Sequence, residues 1–420
     1  METEIKLAED GIGETKRKLA SIQVINKLRD IPGADFIVVA EVLGWECIVK
    51  RDEFKVGDLV VYFEVDSILP QRPEFEFMRE RKFRVKTIKL KKQISQGLVM
   101  PLSILENSNR KLVPTLVHRE KNEIGLKDEL VQVQYVIDEG LDVTELLGVF
   151  KFDLQAKAER DALLALENQI RQTKVPRWLM DLAWFRFVYF KLNPKIKGNW
   201  PAWIQKTDET RIQSSARKLM EHYDKAWYVT EKLDGQSATY FTYHKRAWGI
   251  PFKKFGVGSR EVWRKTEDNS SYWSLSRKYD LKKKLMEDPH MVVVQGEACG
   301  PSIQKNKYKL TDYDLYVFNI LVEGKRITPT GMQFYLTKWG LKMVPIVSDN
   351  FIPLKQFGQK EVHEVIKALV EMSKGDSVLF KRKREGLVFR LVEDPSISFK
   401  VINPEFSLEE DKNEDKNEDG

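Results

Sequence analysis

A lysine followed by an aspartate and a glycine stands at the end of a strand-like apolar segment. The segment reads WYVTEKLDG (227–235) and contains Lys232, Asp234 and Gly235. A lysine at a strand end can project into a pocket, where its neutral amine can attack a phosphorus atom and give a phosphoramidate. Burial and nearby cations, including a metal ion, favour that neutral form. Taken alone, K-x-D-G is a common pattern, and a plain strand followed by a turn explains it better.

Five short segments further along the chain supply the other groups that nucleotidyl transfer needs. They are GSR (258–260), QGE (295–297), LYVFNI (315–320), EGLVFR (385–390) and SFKV (398–401). In that order they contribute the cation Arg260, the carboxylate Glu297, the ring of Phe318, the carboxylate Glu385 and the cation Lys400. With Lys232 and Asp234 they provide a nucleophile, three metal-capable carboxylates, a base platform and two cations.

Each of these residues also has a simpler structural explanation. Phe318 can be an ordinary core residue, and Lys400 can snorkel from a strand to solvent. Glu297 and Glu385 can be turn or ion-pair residues, and Arg260 can lie on the surface. The complete series favours a catalytic role over these structural explanations, because metal-capable carboxylates, cations and an aromatic face occur together in one ordered stretch.

Composition limits the classes of protein that need to be considered. The 420 residues exceed one ordinary domain, and 42% hydrophobic with 32% charged residues is typical of a soluble protein. The net charge of +7 fits a polyanionic partner. Cys47 and Cys299 form no CxxC pair, which excludes a Cys-rich zinc site and argues against a disulfide framework. Without a secretory signal or a spanning segment, we expect an intracellular, soluble protein.

The first hundred residues have the pattern of a small barrel. FIVVAEVLGW (36–45), VGDLVVYFEV (56–65) and RKFRVKTIKLKK (81–92) are short strand-like runs separated by turn residues. The third run alternates apolar and basic residues, which predicts one surface that carries Arg84, Lys86, Lys89 and Lys91. That surface is either an ordinary solvated strand face or a groove for a phosphate backbone.

The rest of the chain divides into three parts. A helical pattern follows Phe152, and the stretch LNPKIKGNWPAWIQK (192–206) resembles a connection between domains. A second mixed region then runs to about Phe406, and the acidic end EEDKNEDKNEDG (409–420) has no apolar residue. We therefore predict a barrel domain at 1–105, a poorly assigned helical or linker region at 106–200, a catalytic domain at 201–406 and a disordered tail at 407–420.

The ordered series resembles motifs I, Ia, III, IIIa, IV and V of the covalent nucleotidyltransferases, which comprise DNA ligases, RNA ligases and mRNA capping enzymes. The resemblance covers about 170 residues. It implies an α+β protein with an N-terminal OB-like β-barrel, a helical middle segment and a C-terminal nucleotidyltransferase domain. That domain would be of the ATP-grasp-like ligase type, built on antiparallel sheets.

Within the superfamily, the chain is most similar to the fifth class of ATP-dependent RNA ligases, which carry the OB-fold before the catalytic domain. The similar segments are IPGAD (31–35), KVGDLVVYFEVDS (55–67), RVKTIKLKKQISQGL (84–98) and KTDETRIQ (206–213). DNA ligases and capping enzymes have a barrel after motif V, whereas only twenty residues follow Lys400 here. This similarity favours nucleic-acid binding by the basic surface at 84–91.

The resemblance also implies a reaction and a role for each residue. Lys232 would take AMP from ATP with release of pyrophosphate, AMP would pass to a 5′-phosphate, and the adjacent 3′-OH would displace it. The implied contacts are Glu231 and Phe318 with adenine, Arg260 with ribose or phosphate, Glu297 with ribose or metal, Asp234 and Glu385 with Mg²⁺ or Mn²⁺, and Lys400 with the α-phosphate. One departure is Ser398, which stands where many relatives have a first motif V lysine.

The resulting hypothesis is an ATP-dependent RNA ligase that repairs breaks in RNA, with a nicked RNA or RNA-containing duplex as partner and no membrane. A DNA nick ligase is the alternative within enzymes, and a capping guanylyltransferase fits less well. A non-catalytic nucleic-acid-binding protein would not need Lys232, Asp234, Glu297 and Glu385 together. Oligomeric state is open, with a monomer favoured.

Overall fold

A computed structural model describes residues 17–105, 137–152, 197–205, 207–247, 250–260, 262–265 and 267–418. The chain divides into two compact units, 1–152 and 153–420. The helical pattern predicted after Phe152 lies outside the described residues and stays a prediction. Of the predicted connection at 192–206, residues 197–205 are described, and Lys197–Asn199 form a strand. No helix in the described ranges is long and apolar enough to cross a membrane. Cys47 and Cys299 are both buried free thiols.

The first unit consists of short antiparallel strands and a few helical turns. The strands are β1 (Ala20–Val24), β2 (Lys27–Asp30), β3 (Ile37–Val42), β4 (Trp45–Lys50), β5 (Leu59–Phe63), β6 (Ser67–Ile68), β7 (Ile88–Leu90), β8 (Gln93–Ser95), β9 (Leu98–Pro101) and β10 (Phe150–Lys151). The helical turns are 3₁₀ helices at Pro73–Arg81 and Leu102–Leu105 and helix α1 (Thr144–Leu147). The strands form two three-stranded sheets, β1-β5-β9 and β2-β3-β4, and two strand pairs.

Alternation along β5 divides the core of this unit into two clusters. Val61 and Phe63 pack with the 3₁₀ helix residues on one side, while Val60 and Tyr62 pack with Trp45 on the other. Successive side chains of a strand point to opposite faces, so one central strand serves both clusters. The strands predicted in 36–45 and 56–65 are confirmed, with a turn that separates β3 from β4.

The basic segment at 81–92 differs from the single strand that was predicted. Lys82 and Phe83 have left-handed backbone conformations, and only Ile88–Leu90 forms a strand, as part of a hairpin with β8. Arg84 is buried, because its guanidinium pairs with Asp66 at 2.8 Å and lies 3.8 Å from the ring centre of Phe152. The prediction that Arg84 lies on an exposed basic surface is therefore wrong.

The other three basic residues of the predicted surface remain accessible. Lys89 and Lys91 are exposed, and Lys86 is half-buried. The predicted boundary at residue 105 also falls inside the first unit. Val143, Leu147 and Val149 are buried in its core, and β10 pairs with β6, because this later segment supplies apolar side chains that the barrel lacks.

The larger sheet of the second unit is antiparallel apart from one short parallel pair. It contains β11 (Lys197–Asn199), β13 (Gln236–Ala247), β14 (Ile250–Gly258), β15 (Val262–Arg264), β16 (Val292–Cys299), β17 (Asp314–Val322), β18 (Lys325–Arg326) and β19 (Lys342–Met343). Helices α3 (Ser271–Lys278), α4 (Leu281–Glu287) and α5 (Pro329–Trp339) cover one face of it. Val292 and Val294 point into that helical layer, whereas Val293 points to the other face.

A second antiparallel sheet carries the first and last motif strands. Its order is β20-β12-β21-β22, with β12 at Trp227–Lys232, β20 at Ile346–Phe351, β21 at Gly386–Leu391 and β22 at Ser398–Ile402. Helices α2 (Ala216–Glu221), α6 (Pro353–Phe357) and α7 (Val362–Ser373) are packed against its apolar face, and 3₁₀ helices lie at Ile212–Ser214 and Gln304–Asn306. Because β12 and β21 are adjacent and antiparallel, Lys232 lies directly opposite Gly386.

The C-terminal end is helical where a disordered tail was predicted. Helix α8 covers Pro404–Glu418, so the prediction of disorder from residue 407 is wrong for most of that range. Phe406 and Leu408 are buried, and Lys383 forms an ion pair with Glu405. These contacts anchor the first turns, which the polar composition of the later residues did not reveal.

Candidate active site

Lys232 is the last residue of β12, and its amine lies among carboxylates. Its Nζ donates a hydrogen bond to Glu385 Oε1 at 2.6 Å. Glu385 precedes Gly386, which pairs with Lys232 across the β12–β21 ladder. Two residues that are 153 positions apart in the chain are therefore brought together by strand register alone.

The turn after Lys232 connects the two sheets of the unit. Gly235 lies so close to β16 that a Cβ atom there would be 2.4 Å from the carbonyl oxygen of Ala298. Its backbone N–H donates to Glu297 Oε1 at 3.1 Å. A glycine is therefore needed for this approach, and the approach itself brings Glu297 to the Lys232 cluster.

The carboxylates control the charge of the lysine in this state. Burial lowers the pKa of the Lys232 amine, but the carboxylates of Glu385 and Glu297 outweigh that effect and raise it above its ordinary value. Burial raises the pKa of Glu297 to about 8, against the opposing effect of the Lys232 ammonium. The amine is thus protonated here, and neutralisation of the carboxylates would favour the nucleophilic form.

Asp234 belongs to the same cluster but is held by other partners. Its backbone N–H donates to the Tyr308 hydroxyl at 2.7 Å, and its carboxylate accepts a hydrogen bond from Lys307. Lys307 donates in addition to Glu410 of helix α8. The C-terminal helix is therefore connected to the K-x-D-G turn through a single lysine side chain.

Two predicted cations meet at one carboxylate. Lys400 Nζ lies 2.7 Å from Asp208 Oδ1, and Arg260 Nη2 lies 2.6 Å from Asp208 Oδ2. Burial, opposed by Asp208 and reinforced by the Lys232 charge, lowers the pKa of Lys400 to about 8. The arrangement holds two cations at the spacing of a single anionic group.

The position of the missing motif V lysine is lined by arginines. The Ser398 hydroxyl donates to the buried Glu209 carboxylate, which also pairs with Arg390 at 3.2 Å and Arg326 at 3.6 Å. Arg390 lies 6.0 Å from the ring centre of Phe318, which is half-buried on β17. Positive charge near Ser398 is thus supplied from β18 and β21, although Glu209 neutralises part of it.

Glu231 lies away from these groups. Alternation along β12 places its side chain on the same face as Val229, opposite to that of Lys232. Its Oε2 accepts a hydrogen bond from the backbone N–H of Val378 at 2.8 Å. Its buried Oε1 has no hydrogen-bond partner among the described residues. The structure therefore brings Lys232, Asp234, Glu297 and Glu385 together without the Glu231 carboxylate.

The three candidate metal ligands do not form a closed cage. In the described part of the chain, no group of three acidic, histidine or cysteine side chains converges closely enough to hold an ion as it stands. Instead, Asp234 and Glu385 are each paired with a lysine. Carboxylate oxygens suit Mg²⁺ and Mn²⁺, and the buried Glu385 Oε2 has no hydrogen-bond partner, so this donor set fits a hard cation.

Several residues of the cluster have no signal in the sequence pattern. Asp208 lies in the segment KTDETRIQ (206–213), which is distinguished in the sequence only by a family similarity. Lys307 and Tyr308 belong to no motif, and Glu410 is one of many acidic residues near the C-terminus. Only the folded chain shows that these four residues contact the candidate site.

Comparison with known families assigns both units. The model of an OB-fold domain matches residues 19–102, and the model of the RNA ligase family matches residues 225–402. The RNA ligase of Naegleria gruberi, solved as a variant with ATP and Mn, is 25% identical with a TM-score of 0.66. That match covers 93% of this chain and 98% of the other. The second unit thus contains an RNA ligase domain and the first an OB-fold domain, the arrangement of an RNA ligase with an N-terminal OB-fold.

Further structures of the Naegleria gruberi ligase give the same result. The form with pyrophosphate is 26% identical with a TM-score of 0.67, and it covers 95% of this chain and 100% of its own. A variant with AMP and Mn is 26% identical with a TM-score of 0.67, over 93% and 98% of the two chains. No curated protein sequence matches at a significant level. The prediction of an ATP-dependent RNA ligase with an N-terminal OB-fold is confirmed for family and fold.

Proposed function

We propose that this RNA ligase joins 3′-OH and 5′-phosphate ends at nicks in RNA-containing duplexes, with AMP carried on Lys232. The observation that carries the proposal is the position of the Lys232 amine, 2.6 Å from Glu385 and within electrostatic reach of Glu297 and Asp234. A scaffold protein has no use for a half-buried amine in such a carboxylate cluster. The similar Naegleria gruberi enzyme is described with ATP, AMP and pyrophosphate, which supports ATP as the AMP donor.

In the first step, the neutral Lys232 amine attacks the α-phosphorus of ATP. The new N–P bond forms as the bond to the pyrophosphate oxygen breaks, and the amine loses one proton. Lys400 and Arg260, now joined by Asp208, are the groups best placed to bind the phosphate oxygens. A phosphate that takes the place of the Asp208 carboxylate would receive hydrogen bonds from both cations.

Asp234, Glu297 and Glu385 would hold a divalent ion, Mg²⁺ or Mn²⁺. When bound, such an ion supplies positive charge that stabilises the phosphate oxygens and lowers the pKa of nearby groups. The three carboxylates now raise the pKa of Lys232, so their neutralisation would release the amine for attack. Phe318 offers a ring for the adenine base, and a contact from Glu231 to adenine stays a prediction.

The second and third steps act on the broken strand. The 5′-phosphate attacks the phosphorus of the Lys232 adduct, which forms a 5′–5′ pyrophosphate linkage and returns the amine. The 3′-OH then attacks the 5′-phosphorus, forms the phosphodiester and expels AMP. Discrimination between RNA and DNA would depend on contacts with 2′-hydroxyls or on the A-form shape of the duplex beside the nick.

The test uses α-labelled ATP and GTP, Mg²⁺ or Mn²⁺, and the variant Lys232→Ala. We expect label from ATP to stay on the parent after denaturation and to be absent from Lys232→Ala, because alanine has no nucleophile. Lys225→Ala is the matched control, since Lys225 is exposed just before the same strand. Lys232→Ala should still seal a nick whose 5′ end already carries AMP, which would show that it folds.

Other outcomes would redirect the proposal. Label in Lys232→Ala, or none in the parent with either nucleotide, would contradict the AMP-lysine step. Label from GTP alone would indicate capping chemistry. Equal sealing of all-DNA nicks and of nicks with RNA on the 3′-OH side would make the enzyme a general nick ligase.

A further inference from the structure

The hairpin of β13 and β14 is unusual in charge. The 23 residues from Gln236 to Gly258 contain four Lys or Arg residues and one His but no Asp or Glu, in a chain that has 63 acidic residues. Helices α3 and α4 cover one face of this hairpin, where Tyr240 and Val257 are buried. The opposite face carries aromatic and basic side chains.

We define this opposite face as the hairpin face, with Tyr243, Lys245, Phe252, Lys254, Trp263 and Lys265. Strand register places Tyr243 opposite Lys254 and Lys245 opposite Phe252, and directly paired residues share a face. Lys245, Phe252, Lys254 and Lys265 are exposed. Lys253, which points to the other face, is used differently, because its amine caps the backbone carbonyls of Asp288 and His290.

Aromatic rings and lysines alternate closely on the hairpin face. Tyr243 packs edge-on against Trp263, with ring centres 5.0 Å apart. Lys265 lies 5.2 Å from the ring centre of Trp263, and Lys254 lies 5.4 Å from that of Phe252. Exposed rings beside cations are the pattern of surfaces that follow a nucleic-acid backbone and stack on its bases or sugars.

The hairpin face lies on the same side of β13 as the candidate active site, and the buried residues Thr239 and Phe241, covered by Trp200 and Ile204, lie between the two. Ser237 pairs with Glu297, and Ser237, Thr239, Phe241, Tyr243 and Lys245 follow one another on the same face of β13. At ~3.4 Å per residue, Lys245 lies about 27 Å along the strand from Ser237. A duplex arm that leaves the site in the direction of β13, over the segment that covers Phe241, would reach Lys245 about eight base pairs from the break, at ~3.4 Å per pair.

We propose that the hairpin face is a second nucleic-acid-binding surface, which holds one arm of the nicked duplex about eight base pairs from the break. The proposal rests on the proposed function for the identity of the substrate. Lys245, Lys254 and Lys265 contact phosphates, and the exposed edge of Phe252 packs on the sugar–base surface. The OB-fold and this surface then bind different parts of one polynucleotide.

The experiment compares two double charge reversals in the full-length protein. The test variant is Lys245→Glu with Lys254→Glu, and the control is Lys282→Glu with Lys283→Glu on the helical side of the same sheet. Binding of fluorescent nicked RNA duplexes is measured by anisotropy across a salt series. One duplex has arms of about 12 base pairs, and the other has arms of about 4 base pairs closed by loops.

We expect the test variant to bind the long duplex about tenfold more weakly and to lower its salt slope by about 2, since two phosphate contacts are lost. Binding of the short duplex and labelling of Lys232 by ATP should be unchanged, and the control should match the parent. Phe252→Ala should weaken long-duplex binding with no change in the salt slope, because it removes packing but no charge.

Equal long-duplex affinity in the test variant and the parent would overturn the proposal and leave an acidic protein as the alternative occupant. Equal weakening on short and long duplexes would also overturn it, because the defect would then lie at the break. Failure of the parent to label with AMP would refute the proposed function alone, since duplex binding is measured without ATP.

Discussion

At the scale of single residues, Lys400 is a candidate phosphate-binding cation with a pKa close to neutral pH. Burial brings its pKa to about 8, so its ammonium is present below that pH and is lost as the pH rises through 8. Under the proposed function, Lys400 binds the α-phosphate region of ATP. Phosphate binding should therefore weaken in alkaline solution, because the group that attracts the anion becomes neutral.

We predict that affinity for an ATP analogue with a non-cleavable α,β-bridge falls between pH 7.5 and pH 9.5 in the parent. Lys400→Arg should lose less affinity over that range, because a guanidinium stays protonated and only the ionisation of Glu297 then opposes the phosphates. Calorimetric titration of both proteins, with Lys225→Ala as control, measures the difference. Identical pH profiles for the parent and Lys400→Arg would exclude Lys400 as the titrating group.

At the scale of secondary-structure elements, helix α8 has a direct connection to the active-site turn. Glu410 and Asp234 share the Lys307 ammonium, so the helix competes with the K-x-D-G turn for one cation. When the Glu410 charge is lost, the Lys307 ammonium pairs with Asp234 and no longer with Glu410. A divalent ion would then have to displace a more strongly held lysine from its proposed ligand.

Glu410→Gln is therefore expected to raise the Mg²⁺ concentration for half-maximal AMP labelling by about three- to tenfold, or roughly 0.7 to 1.4 kcal/mol. Glu409→Gln is the matched control, because Glu409 is the exposed neighbour on the same helix. Labelling at saturating Mg²⁺ should be close to that of the parent in both variants. A Mg²⁺ requirement that is the same in Glu410→Gln and Glu409→Gln would rule out this coupling.

At the scale of the whole molecule, the two units have separate hydrophobic cores. The Lys232 cluster is built entirely from residues between Asp208 and Glu410, all in the second unit. The exposed Lys89 and Lys91 belong to the first unit. AMP labelling of Lys232 and binding of the polynucleotide should therefore be affected by different substitutions.

We predict that Lys89→Glu with Lys91→Glu leaves AMP labelling of Lys232 unchanged while it weakens nicked-duplex binding and lowers the salt slope by about 2. Lys50→Glu with Lys55→Glu, at two exposed lysines before β5, serves as the charge-matched control. Labelling and anisotropy are measured on the same protein preparations. A loss of AMP labelling in the double variant would show that the first unit takes part in the lysine chemistry.

Most of the candidate catalytic residues could be predicted from the sequence, since they lie in or directly after short apolar segments. Lys232, Asp234, Glu297, Glu385 and Lys400 stand in short apolar segments whose pattern predicts strands. The strand character of β12, β16, β21 and β22 follows from the same local signal. Type and order of the residues were therefore sufficient to indicate nucleotidyl transfer.

Local patterns failed where a contact joins distant segments. Arg84 alternates correctly for an exposed face, yet Asp66 and Phe152 bury it, because the segment leaves the strand conformation at Phe83. The acidic end was predicted to be disordered, yet Phe406 and Leu408 anchor it as a helix. In both places, tertiary packing outweighed the local composition.

The sequence by itself determined which chemical groups this ligase has and in what order they occur, because periodicity and turn residues are local properties of the chain. Tertiary structure alone decided which groups face one another. The pairing of Lys232 with Glu385 depends on strand register, and the joining of Arg260 to Lys400 by Asp208 depends on loop approach. The charge of Lys232 depends on these contacts between segments that are distant in the sequence. An electrostatic interaction depends on the separation of the charges in space.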